Sequence, residues 1–145
     1  MRRLVLSVTL AAVVAVSTAA VTLSGPATAA SPTRAVPCVG QPQVRPAKWV
    51  LACGDGNAYL TGLHWVRWSS SVGVARGTEH LNDCVPDCAR GTFHATPAVL
   101  VFSDPVATKA HGTLFSVLTV LADTRLPGSG GATFTQGLPL QPVQG

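Results

Sequence analysis

Four cysteines, Cys38, Cys53, Cys84 and Cys88, constrain what this chain can fold into more than any other residues. Whether they bridge depends on the compartment, and the amino terminus bears on that. The chain begins MRR, continues as an apolar run from Leu4 to Leu23 broken only by Ser and Thr, and then reads Ser24-Gly25-Pro26-Ala27-Thr28-Ala29-Ala30. A basic start, an apolar middle, a helix breaker and an A-x-A site describe a secretory signal peptide over residues 1–30. Cleavage is expected after Ala29 or Ala30. The competing reading is an uncleaved anchor, since twenty apolar residues suffice to cross a bilayer. No later segment is long and apolar enough to do so.

An even number of cysteines in an exported chain points to bridges rather than free thiols. Three connectivities exist. Cys38–Cys53 with Cys84–Cys88 is favoured, because each pair is close in sequence and fastens a proline-containing segment to a strand. Chain entropy assigns about 3 kcal/mol to the first loop and nearer ~2 kcal/mol to the second. The alternative is metal. His80, Cys84, Cys88 and His94 offer the four nitrogen and sulfur ligands of a structural zinc site. Thiolates oxidise readily outside the cell, however, and in an extended strand His94 would lie about 13 Å from the loop. No metal and no cofactor are expected.

Without its leader the chain loses Arg2 and Arg3, so eight basic residues face six acidic ones. Arg45, Arg67, Arg76, Arg90 and Arg125 are scattered, which argues against a nucleic-acid footprint. About 115 residues remain, one domain by size. The expected fold is all-β, a small antiparallel sandwich or barrel stabilised by disulfides. Residues 31–47, with Pro32, Pro37, Pro42 and Pro46, read as an extended arm. Residues 48–137 read as the single β domain and 138–145 as a flexible tail.

Within that domain, Gly54-Asp55-Gly56-Asn57 between two apolar runs signals a hairpin. Strands are expected over residues 72–80, 91–95 and 98–102. Residues 112–123 fit both periods, but their β-branched and aromatic content favours strand. LPGSGG at 126–131 reads as a connection, followed by a short ATFTQ strand.

The hexapeptides ARGTEH (75–80) and ARGTFH (89–94) nearly repeat. Paired antiparallel with Thr78 opposite Thr92, they would place Arg76, His80, Arg90 and His94 on one face. That stripe could recognise an anionic or hydroxyl-rich ligand, or simply be solvated. Trp65 and Trp68 are three apart, so a regular strand sends them to opposite faces, one into the core and one onto the surface as a platform. A bulge would bring both inward.

Catalytic signatures are missing: there is no G-x-S-x-G, no H-E-x-x-H and no glycine-rich phosphate loop. Glu79 is the only glutamate. The succession Cys53-Gly-Asp-Gly-Asn57, Trp65-x-x-Trp68 and Asn82-Asp-Cys-Val-Pro-Asp-Cys-Ala-Arg-Gly91 resembles small exported proteins of high-GC Gram-positive bacteria, over roughly Cys53 to Phe102. That resemblance implies export and carries no activity. The chain is also similar in size and cysteine number to the secreted subtilisin inhibitors of those bacteria. It lacks their G-T-H-P segment, and its three-residue VPD loop is far shorter than their inhibitory loop. The expectation is a secreted, non-catalytic module that binds a cell-envelope polymer or an extracellular protein, without stable membrane insertion. An inhibitor of an extracellular hydrolase is the alternative, and a small secreted enzyme comes third.

Overall fold

A computed structural model describes residues 31–122 and 133–141. The expected signal peptide, the LPGSGG connection and the last four residues lie outside the described residues. Six strands follow one another: β1 (Trp49–Val50), β2 (Ala58–Trp68), β3 (Gly73–Asn82), β4 (Phe93–Thr108), β5 (Gly112–Ala122) and β6 (Phe134–Gly137). They form one antiparallel meander in the order β1-β2-β3-β4-β5-β6. No helix occurs among the described residues. The fold is thus all-β and disulfide-linked, with a single curled sheet in place of two facing ones.

Burial decides the register. On the inner face small residues of β3 meet large ones of β4, Gly73 pairing with Phe102 and Ala75 with Leu100, while Gly77 lies opposite Ala98. Phe102, Leu100, Phe115, Leu118 and Val120 are fully buried there. Antiparallel pairing with β4 and β6 settles the nature of β5 as well. Leu118 and Val120 point inward while Leu121 is 45% exposed, whereas a helical stripe would have buried Leu121 with Leu118. The two strands expected at 91–95 and 98–102 are one 16-residue strand. Among the described residues, each of its prolines stands where β4 pairs on one side only, a position that tolerates proline. Pro97 precedes the first residue paired with β5, and Pro105 follows the last one paired with β3.

The proline-rich segment is not the simple extended arm expected: it folds back on itself through paired Ala35 and Gln43 backbones, and it forms part of the core. Arg34 bridges Leu114 in parallel and Ala35 bridges Gln43. Ala35 and Val36 are fully buried, and the Trp49 ring meets Phe102 edge-on at 4.8 Å. This segment covers the inner face that a second sheet would cover in a sandwich. Cys38–Cys53 ties it to the β1–β2 connection. The tail begins later than the sequence suggests: Leu138 is buried, and its N–H donates to the Ser116 carbonyl at 2.7 Å.

Candidate binding surface

The β3–β4 connection carries the second disulfide, Cys84–Cys88, and Asn82 organises it. Its Nδ2 donates to Asn57 Oδ1 and to the Cys88 carbonyl, both at 2.8 Å, while its Oδ1 accepts from the Cys84 N–H at 3.1 Å. One nearly buried amide thereby joins the two connections at this end of the sheet. Asp83 does a second job. Its carboxylate accepts from the Val85 and Thr92 N–H groups and meets His94 Nε2 at 2.9 Å. The His94 hydrogen bond, assisted by those two amides, lowers the Asp83 pKa from 3.8 to about 2. Asp87 accepts from Arg90 Nε at 2.9 Å, which lowers its pKa too. The product is a stapled loop whose Val85 is 68% exposed, followed by Pro86 across a cis peptide bond.

The hexapeptide stripe does not form. Thr78 lies opposite Pro97, not Thr92, and His80 opposite Ala95. The slip of five residues is odd, and an odd slip exchanges the faces of a strand. Arg76 and His80 remain on the outer face, His94 stands opposite Leu81, and Arg90 belongs to the loop. The two copies even need their glycines for different reasons. A Cβ on Gly77 would come within 2.7 Å of the Thr61 carbonyl, and one on Gly91 within 2.1 Å of Asn82 Oδ1.

What the outer face holds instead is a different group of residues. His64 pairs with Arg76 and Arg67 with Val74. Tyr59 stacks on His80 at 4.7 Å and contacts Phe93 at 5.4 Å, and Lys48 Nζ lies 4.5 Å above the Tyr59 ring. Thr61 Oγ1 meets His80 Nε2 at 2.9 Å. Lys48, Tyr59 and Phe93 escape a reading by motif because each comes from a different segment. Only pairing across β1 to β4 collects them.

Both tryptophans turn inward, so no indole stands on the outer face as a platform. Two register shifts in β2, between Thr61 and His64 and between Trp65 and Arg67, each insert one residue. Gly62, at φ 61°, permits the first, and Val66 occupies the second at 65% exposure. Residues three apart then share a face: Leu60 with Leu63, and Trp65 with Trp68. Trp65 stacks on Phe102 at 5.5 Å and Trp68 meets Phe115 edge-on at 5.4 Å. Their Nε1 atoms donate to the Pro46 and Thr33 carbonyls. A shallow cleft of about 240 Å³ beside Trp68 is lined by Ser31, Pro32, Thr33, Ser69 and Ser70.

All four cysteines are in disulfides, so His80, Cys84, Cys88 and His94 do not form a thiolate metal cage. No group of three or more potential metal ligands occurs among the described residues. No helix among them is long and apolar enough to cross a membrane. No protein-family model, curated protein or solved structure matches the chain.

Proposed function

We propose that this chain is an exported, non-catalytic binding module that works outside the cell or at its envelope. Two disulfides in a small β domain suit an oxidising compartment, and the amino-terminal sequence supplies a signal for reaching it. The observation that carries binding is the stapled loop. Asn82, Asp83, Asp87 and a disulfide hold the backbone around an exposed apolar tip, Val85-Pro86. A contact surface fixed before binding loses little conformational entropy on association. The same observation supports a second reading, inhibition of an extracellular hydrolase by that tip.

Retention on purified cell-envelope material tests the first reading. The wild type is retained and Val85→Asp released, while both keep the same melting point. A panel of extracellular proteases tests the second, which requires inhibition that Val85→Asp abolishes. Retention unaffected by Val85→Asp would remove the loop from the reading. No retention together with no inhibition would remove the reading itself. Export is checked separately, by finding a secreted chain that begins at Ala30 or Ser31.

A further inference from the structure

The cross-strand rows of the outer face share one polarity. In one row Arg67 and Val74 lead to Val101 and Thr119. In the next, His64 and Arg76 lead to Val99 and Leu121. Then Thr61 and Thr78 lead to Pro97, and Tyr59 and His80 to Ala95. Cationic side chains therefore occupy the β2–β3 half, interleaved with Val66 and Val74, and the β4–β5 half carries no charge and is mostly carbon, with Thr119 as its hydroxyl. Phe93 and Leu121, at 44% and 45% exposure, are the largest apolar groups left open. Among the described residues no carboxylate stands in these rows, and none pairs with Lys48, Arg67 or Arg76. The carboxylates of the adjoining loop are engaged by His94 and Arg90.

From this polarity we infer that the outer face of β2–β5 adsorbs to an anionic phospholipid surface. The inference rests on the export proposed above only for the place where the protein meets such a surface. Three features select this occupant. The face lies on the outside of a curled sheet, while the described cleft is elsewhere, at Trp68, so an extended partner fits better than a small ligand. Its unpaired cations complement anionic headgroups, which attract Lys and Arg near a surface. Its apolar half matches the boundary between headgroups and acyl chains. A hydrated polyanion such as an acidic polysaccharide would engage the first half and leave the second in water. Lys48, held over Tyr59, and Arg67 lie toward opposite ends of β2, roughly 25 Å apart at strand rise, so the cationic edge can contact several headgroups.

Co-sedimentation of the full mature chain with vesicles tests this. The chain should pellet with vesicles containing phosphatidylglycerol and stay in solution with phosphatidylcholine alone. Arg67→Glu with Arg76→Glu should weaken partitioning at least about tenfold, and Arg67→Lys with Arg76→Lys should retain it. Phe93→Ser with Leu121→Asn should weaken it as well. Near-ultraviolet circular dichroism, dominated by the packed indoles, verifies that each variant is folded. Failure to bind anionic vesicles overturns the inference. So does binding indifferent to the Phe93 and Leu121 changes, or tighter retention by polygalacturonate than by vesicles, either of which assigns the face to a hydrated polyanion. Retention on whole envelope material with no affinity for vesicles would overturn this inference and leave the binding module standing.

Discussion

Asn82 illustrates how much one side chain can settle. It is nearly buried, and three hydrogen bonds from its amide close the gap between the β1–β2 and β3–β4 connections. Asn82→Ala removes all three and leaves the Asn57 and Cys88 acceptors without that donor. The expected loss is about 2–3 kcal/mol, read as a lower midpoint in urea unfolding. Asp83 makes a different kind of contribution, one that depends on pH. Its folded pKa, about 2, lies below the ordinary 3.8, so the folded state favours the ionised form. That stabilisation is complete above about pH 4 and disappears as the pH falls through about 2. Melting curves of wild type and Asp83→Asn should therefore differ at neutral pH and converge over that interval. A gap that stays constant down to pH 2 would show that the His94 and amide contacts do not stabilise the fold. The link of Asp83 to His94 spans eleven positions and depends on where β4 begins, so the sequence alone does not show it.

At the scale of elements, β2 holds the most information. Two inserted residues convert two three-residue spacings into same-face pairs, which is why both indoles reach Phe102 and Phe115. Iodide should quench the tryptophan fluorescence only weakly. Deleting Val66 removes the second insertion and returns Trp68 to the outer face. Quenching should then rise, and stability should drop by about 3–5 kcal/mol, the usual cost of losing a large aromatic from a core. Quenching left unchanged by the deletion would contradict this account of the bulge. Gly62 inside an apolar run was a readable signal of irregularity. Val66 was not, since nothing in its own chemistry distinguishes an inserted valine from a paired one. The register of β3 with β4 was likewise hidden. Repetition of ARGT suggested one alignment, and the fit of Gly73 and Ala75 to Phe102 and Leu100 imposed another.

For the molecule as a whole, one sheet becomes a closed core because residues 33–51 lie across it. The Cys38–Cys53 bridge holds that cover in place, and Arg34 reinforces it by hydrogen-bonding the His111 carbonyl. Replacing both cysteines by Ala should cost about 3 kcal/mol, and Val36→Ala about 2 kcal/mol through lost burial. Because these changes lie in one unit, they should lower a single cooperative transition. Two separate transitions would instead mean that the arm and the sheet melt independently.

Local chemistry determined the strand composition, the turn at Asp55 and the pairing of cysteines close in sequence. Each is a preference of a few neighbouring residues and needs no partner from afar. Tertiary structure decided the register, the inward turn of both indoles, the use of the arm as a lid and the gathering of Lys48, Tyr59, Arg67, Arg76 and Phe93 on one face. These depend on which large side chain fills the space above which small one, a competition among segments that only the packed chain resolves.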